Sequence, residues 1–354
     1  MPVSRQHDLR SFGGVQVLGI EPLAGDLLAG YPDVRSPLMP AWTPSPGVSS
    51  LKIRNLPGSK EESRKSVNRR GFLARVSCGL AGLSAGLAVA RSLSWTLRLS
   101  ASSIAFSRLP IEQACERIAR LGFEGIDIWS AYAGCPHLDD IQRRLGPEGL
   151  KVLLARHKLD LFAFSGYVGG YPRYAELLGR AGGGVAVTGS AGPCAPGELV
   201  PRMRAFLEGM KPQAELAEKH RTHLAIENHG ASLLDSIDSI RAFVDLNKNP
   251  RLGTALAPFH IQARGESVSE AILAAGPQLL FFYAWQYDPA MSVKQLPGLG
   301  PADCAPWMAA LARIQYRGYV NPFLHDQPPP DPTALALDKS RDHLKKCCRK
   351  AVPA

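Results

Sequence analysis

Short β-rich runs alternate with longer helical patterns eight times after Thr96, and this alternation limits the fold more than any other feature of the chain. A strand, a helix and another strand in succession favour parallel pairing, because parallel neighbours need a crossover connection. Eight such units in about 250 residues fit a closed (β/α)8 barrel, the TIM barrel. The predicted strands are residues 97–106, 125–129, 159–164, 184–188, 223–227, 253–257, 279–285 and 319–324.

The predicted helices have one apolar face each. In the first, Ile111, Ala114 and Ile118 recur at spacings of three and four residues, the helical period. The alternative fold is a doubly wound open sheet, which usually has a glycine-rich phosphate turn after its first strand. Residues 100–103 read Ser-Ala-Ser-Ser instead, so the prediction is a single barrel over residues 95–348. The helices are predicted at 111–121, 201–219, 233–246, 268–275, 303–315 and 333–348.

Residues 69–90 resemble a twin-arginine export signal. Arg69 and Arg70 precede an uncharged run of small and apolar residues, 76–90, which ends in an Ala-Val-Ala cleavage sequence. This run is shorter than the roughly 20 apolar residues of a membrane span. Residues 1–68 are rich in Pro, Gly and Ser, which predicts a disordered leader or a start codon assigned too early. We therefore predict a periplasmic or extracellular protein whose signal binds the export machinery.

The net charge of +10 is typical of proteins that bind nucleic acid, but the position of the charges argues against such binding. The basic surplus lies in residues 1–75 and 338–350, whereas residues 76–337 hold 24 basic and 23 acidic side chains. We therefore expect no nucleic-acid partner. The seven cysteines include no Cys-x-x-Cys pair, so neither a zinc ribbon nor a disulfide framework is predicted.

Candidate functional residues stand where the predicted strands end, because a TIM barrel carries its active site at the carboxyl ends of its strands. Glu227 is the most specific, since a carboxylate that ends a buried strand needs a metal, a cation or several donors. An arginine at the barrel rim is its alternative partner. His260 ends the sixth unit as a candidate acid or base, or as an ordinary packing histidine. The further candidates at strand ends are Trp129, Tyr167, His229, Trp285, Gln286 and His325.

Four of these residues are predicted to contact a substrate. Trp129, Tyr167 and Trp285 offer flat aromatic faces, on which the C–H faces of a sugar pack well, and His229 lies two residues after Glu227. Tyr283 is a further aromatic candidate of this kind. These residues predict a small carbohydrate as the ligand. The alternative for the aromatic residues is ordinary core packing.

Five segments together resemble the xylose isomerase-like TIM-barrel superfamily, which includes sugar phosphate isomerases, epimerases and apurinic endonucleases. The segments are residues 121–129, 187–190, 225–229, 252–256 and 316–320. The resemblance implies a divalent metal, Zn, Mn or Mg, held by Glu, Asp, His and Glu on strands 5 to 8, and proton transfer next to a carbonyl. Glu227 matches the first ligand, but Ala257 and Phe323 replace the expected Asp and second Glu.

Two interpretations of the metal site follow. Glu227, His260, Gln286 and His325 form a rearranged site, or the barrel has lost its metal. The first functional hypothesis is an exported sugar isomerase or epimerase with Glu227 and His260 as catalytic residues. The second is a non-catalytic carbohydrate-binding barrel. An endonuclease would need more His, Asp and Glu ligands and a basic face.

Overall fold

The computed structural model describes residues 95–130, 134–325 and 328–351. The predicted leader, 1–68, and the predicted export signal, 69–90, lie outside the described residues. The chain divides into two units, and the described residues belong to the second, Ser92–Ala354. None of the described helices is long and apolar enough to cross a membrane.

Eight parallel strands form one sheet in chain order, so each strand pairs with the strands before and after it in sequence. The sheet closes between its first and last strands, where Leu99 bridges Val320 and the amide of Val320 donates to the carbonyl of Arg98 at 2.9 Å. The described residues thus confirm the closed (β/α)8 barrel. The strands are β1 Ser100–Ser102, β2 Gly125–Trp129, β3 Asp160–Ser165, β4 Val185–Gly189, β5 His223–Glu227, β6 Leu252–Leu256, β7 Leu279–Ala284 and β8 Val320–Pro322.

The helices pack around the outside of this sheet. Their boundaries follow local capping chemistry: the hydroxyl of Ser236 accepts a hydrogen bond from the amide of Ser239, for example, and begins the helix that follows at Ile237. The described α-helices are α1 Ile111–Arg120, α2 His137–Asp140, α3 Gly146–His157, α4 Gly170–Arg180, α5 Leu199–Gly209, α6 Lys211–His220, α7 Ile237–Leu246, α8 Pro258–Ala263, α9 Val268–Ala275, α10 Ala305–Arg313 and α11 Pro330–Ala351.

Two predicted elements differ from the structure for identifiable reasons. The helix predicted over 201–219 is two helices, α5 and α6, which meet at Met210. Pro212 lies in the first turn of α6, where the missing amide hydrogen is tolerated, whereas it would interrupt a continuous helix. The first strand is only three residues long, because residues 103–106 turn into a 3-10 helix.

Aromatic side chains fill the amino-terminal half of the barrel interior. The rings of Phe162 and Phe281 stack with centroids 4.8 Å apart, and the ring of Tyr319 lies 5.0 Å from that of Phe162. The Tyr319 hydroxyl donates to Asp160, the first residue of β3, at 2.5 Å. The interior is therefore a packed core rather than a pore. The polar groups of the interior are concentrated at the carboxyl ends of the strands.

Candidate active site at the carboxyl ends of the strands

Glu227 and Tyr167, both predicted site residues, are hydrogen-bonded partners. Glu227 is the last residue of β5 and is 7% exposed. Tyr167 lies two residues beyond the end of β3, and its hydroxyl donates to Oε2 of Glu227 at 2.5 Å. Burial raises the pKa of Glu227, although nearby His229 and the tyrosine hydroxyl oppose that rise. The site thus holds a carboxyl group that takes up a proton more readily than an exposed glutamate does.

A second buried carboxylate, Asp127 on β2, was missed by the sequence analysis. It is fully buried and accepts hydrogen bonds from Ser102 at 2.7 Å, Trp129 Nε1 at 2.6 Å and Ser165 at 2.9 Å. Burial raises its pKa to about 7, because desolvation outweighs these three donors, and the charge of Glu227 adds to the rise. The available signal was a charged residue inside the otherwise uncharged strand Gly125–Trp129.

Three hydroxyl groups connect the two carboxylates. Ser165, at the end of β3, contacts the hydroxyl of Tyr283 on β7 at 3.2 Å. That hydroxyl in turn lies 3.2 Å from the hydroxyl of Tyr167, which bonds Glu227. Tyr283 is 1% exposed, and burial together with the charges of Asp127 and Glu227 raises its pKa well above the usual range. A continuous line of polar groups therefore crosses the barrel near the carboxyl ends of its strands, the end called the barrel mouth below.

His229 and His260 form a close pair beside this line. Their ring centroids lie 4.1 Å apart, and Nδ1 of His229 donates to the carbonyl of Gly230 at 2.8 Å. His260 is 8% exposed, and burial lowers its pKa well below the usual range, so its imidazole is neutral near pH 7. Its Nε2 is buried and has no hydrogen-bond partner among the described residues. An unpaired buried polar atom costs about 1–3 kcal/mol, which a ligand oxygen at this position would recover.

Trp129 and Trp285, predicted to contact a substrate, are too deeply buried to present a ring face to it. Each is 2% exposed, and each indole N–H has a protein partner, Asp127 and Gln295 respectively. Phe259 stacks on Trp285 with centroids 4.4 Å apart, and the ring of Tyr287 meets that of Phe259 at 5.1 Å. Tyr287 is 41% exposed, and Phe259 and the predicted Tyr167 are partly exposed. Two of these three accessible aromatic residues, Phe259 and Tyr287, were not predicted from the sequence.

Gln286, predicted as a metal ligand, holds a loop in place through two hydrogen bonds. Its Nε2 donates to the carbonyl of Leu296 at 2.7 Å, and its Oε1 accepts from the amide of Ala302 at 2.8 Å. Both ends of the amide are therefore bonded to backbone. His325, the other predicted ligand at this end, is half-buried, and its ring meets Trp285 edge-on at 5.0 Å.

The described residues do not fit the four-ligand metal centre of the family. No three His, Cys, Asp or Glu side chains within 95–130, 134–325 and 328–351 are placed to hold an ion. Ala257 offers no donor, and Phe323 stacks on Trp129 with centroids 5.3 Å apart, in the place of the expected second glutamate. The prediction that Glu227, His260, Gln286 and His325 ligate one metal thus gains no support from the arrangement of the described side chains.

Solved structures of two sugar epimerases and of a zinc-binding protein share this architecture. The 3-keto-D-glucoside 4-epimerase of E. coli superposes with a TM-score of 0.55 at 16% identity, over 70% of this chain and 100% of that one. The IolI protein with a bound zinc atom gives 0.58 at 14% identity, over 73% and 100%. A D-psicose 3-epimerase in the presence of D-fructose gives 0.53 at 16% identity, over 73% and 100%. At these identities the likeness establishes the fold alone.

The sequence also matches a protein-family model directly. No curated protein matches the chain. Residues 115–347, well over half of the chain, match the model described as xylose isomerase-like TIM barrel. This range includes β2 to β8 and both carboxylates, Asp127 and Glu227. The chain therefore belongs to the xylose isomerase-like TIM-barrel family.

Proposed function

We propose that this barrel catalyses the isomerisation or epimerisation of a carbohydrate or polyol derivative by proton transfer at a carbon next to a carbonyl, without a metal. The observation that carries the proposal is the hydrogen bond between Tyr167 and Glu227 at the carboxyl ends of the strands. His229 lies close to Glu227 and to His260, whose buried Nε2 has no partner among the described residues. Burial raises the pKa of the Glu227 carboxyl, which makes the carboxylate a stronger base than an exposed one. The name of one structural neighbour, a 3-keto-D-glucoside 4-epimerase, and the D-fructose present with another, a D-psicose 3-epimerase, support this substrate class.

Each residue of this trio has a distinct role in the proposal. Glu227 removes the proton from carbon and, in an isomerisation, returns it to the neighbouring carbon, while the hydroxyl of Tyr167 fixes the orientation of its carboxylate. In an epimerisation a proton returns to the opposite face of the same carbon, and His260 is the second proton carrier for this step. His260 donates from Nε2 to the substrate oxygen on which negative charge develops. A neutral imidazole suits this task, because it stabilises the charge by a hydrogen bond without first losing a proton to Glu227. Phe259 and Tyr287 present the aromatic faces that pack on the sugar.

Deuterium exchange provides the test. In D2O, the protein is expected to replace with deuterium a hydrogen next to the carbonyl of D-fructose or of a 3-keto-D-glucoside, as followed by NMR. Dialysis against EDTA is expected to leave the exchange rate unchanged, because the described side chains supply no complete metal site. A rate that falls on chelation and returns with Zn²⁺ or Mn²⁺ would contradict the metal-independent mechanism.

A non-catalytic carbohydrate-binding barrel is the second candidate. Phe323 and Ala257 favour it, since they replace the carboxylates with which the family holds its metal. The same experiment separates the two candidates. Saturable binding of either sugar without deuterium exchange would support the binding protein.

Export is proposed from the sequence of residues 69–90. Replacement of Arg69 and Arg70 by lysine is expected to keep the protein in the cytoplasm, because the arginine pair is the part of the signal that the export machinery reads. Fractionation of cells that produce each form measures this. Exported wild-type protein should begin at Arg91, after cleavage at Ala90. Equal export of both forms would contradict the proposal.

A further inference from the structure

Four contacts join Asp127 to Glu227, but the three hydroxyls between these carboxylates supply only three protons. The contacts run from Asp127 to Ser165 at 2.9 Å, to Tyr283 at 3.2 Å, to Tyr167 at 3.2 Å and to Glu227 at 2.5 Å. Each contact needs one proton to be a hydrogen bond. The line is complete only when one of the two carboxyl groups carries the fourth proton.

The surroundings of Asp127 direct that proton toward the hydroxyls. Oδ2 accepts from Trp129 Nε1 and from Ser102, and the hydroxyl of Ser102 itself accepts from Nδ2 of Asn321 at 2.9 Å. Ser102 is thereby oriented to donate to Asp127. The Ser165 hydroxyl lies 2.9 Å from Oδ1 and 3.0 Å from Oδ2, and it is the one hydrogen-bond partner of Oδ1 among the described residues. A proton on Oδ1 therefore points along the line toward Glu227.

We infer that Asp127 is a proton reservoir for Glu227, connected to it through three hydroxyl groups, and this inference deepens the proposed function. The hydroxyls belong to Ser165, Tyr283 and Tyr167. When the proton moves, the O–H bond of Asp127 breaks and each hydroxyl gains one proton as it passes on its own. A new O–H bond forms on Glu227. Every hydroxyl ends neutral, and no oxidant or other reactant is needed.

The reservoir keeps Glu227 available as a base. Burial favours the protonated form of both carboxyls, but the network needs only one proton, and a proton held on Asp127 leaves Glu227 ionised. After Glu227 takes a proton from the substrate, the same line passes it to Asp127. The other titratable groups that face Asp127 are Tyr283 and Cys135, and both stay neutral near pH 7, since burial raises the pKa of the Cys135 thiol to about 11.

Tyr283→Phe tests the reservoir, because it removes the middle hydroxyl and keeps a buried ring. The first measurement is the titration midpoint of Asp127 in the ligand-free protein, by ¹³C NMR with labelled aspartate and assignment through Asp127→Asn. In the variant, protonated Asp127 leaves the Ser165 hydroxyl without an acceptor. We therefore expect the midpoint to fall by about 1 pH unit.

The second measurement is the rate of deuterium exchange into D-fructose. Tyr283→Phe is expected to lower kcat by about 100-fold with KM unchanged, because the line carries protons without touching the substrate. Tyr316→Phe is the matched control. Its hydroxyl is also buried but donates to the carbonyl of Tyr319 at 3.1 Å, outside the line, so both measurements should stay at wild-type values. Ser165→Ala, which cuts the line at another point, replaces Tyr283→Phe if that variant does not fold.

The outcomes separate this inference from the proposed function. An unchanged Asp127 midpoint in Tyr283→Phe would overturn the reservoir, and so would a shifted midpoint with unchanged kcat. Absence of exchange in the wild-type protein would refute the proposed function. In that case the midpoint alone still decides whether a proton is shared along the line.

Discussion

Glu227→Gln is expected to lower the rate of deuterium exchange into D-fructose by about 10²- to 10⁴-fold, the usual contribution of a general base. The glutamine oxygen still accepts the Tyr167 hydroxyl, but the amide takes up no proton from carbon. The fold is therefore expected to survive while the chemistry is lost. NMR of the sugar in D2O measures the rate, and thermal unfolding followed by circular dichroism checks the fold.

Glu218→Gln is the matched control for this variant. Glu218 lies on the outer surface in α6 and pairs with Arg251, away from the barrel mouth. Its replacement makes the same chemical change and should leave exchange at the wild-type rate. If Glu227→Gln also exchanges deuterium at the wild-type rate, Glu227 is not the base.

Asp127→Asn is expected to change how stability depends on pH. The carboxyl titrates near 3.8 in the unfolded chain and near 7 in the folded protein. Between these two pH values the folded state binds more protons at this carboxyl than the unfolded state does. The stability that the carboxyl contributes to the wild-type protein is therefore fully present below about pH 4 and is lost as the pH rises toward 7. Asparagine does not titrate. The free energy of unfolding of the variant minus that of the wild type should therefore grow by up to about 4 kcal/mol from pH 4 to pH 7.

Urea unfolding at a series of pH values measures this difference. Asp288→Asn is the comparison, because hydrogen bonds from Ser292 lower the pKa of the Asp288 carboxyl instead of raising it. Its difference from the wild type should stay nearly constant between pH 4 and 7 and change only in more acidic solution. A difference for Asp127→Asn that also stays constant over this range would show that its carboxyl is ionised throughout.

The alternation of strands and helices was sufficient to predict the barrel, since the strands at 125–129 and 223–227 have the same bounds in sequence and structure. The helices α3 and α4 were not predicted from the sequence. Two glycines in each of them weaken the helical pattern, and packing against neighbouring helices stabilises these segments instead. Contacts of this kind are not visible in a local pattern.

The candidate site was predicted where a polar residue directly follows an apolar strand. This rule found Glu227, Tyr167, His229 and His260, which the structure brings to one end of the barrel. It missed Asp127, which lies inside β2 and meets Ser165 only when β2 pairs with β3. Tyr283 was named only as an aromatic candidate, whereas the structure shows that its hydroxyl contacts those of Ser165 and Tyr167. It also selected Gln286, whose amide bonds a loop that comes later in the chain.

The stack of Phe323 on Trp129 limits which substitutions this end of the barrel can accept. Phe323 is 3% exposed and also meets the rings of Trp285 and Tyr283. A glutamate introduced there alone would enter an apolar setting without a cation, and at Ala257 an aspartate would face the same difficulty. Each of these two substitutions toward the ligand set that the family resemblance implies is thus opposed as long as no metal ion is bound to offset its charge.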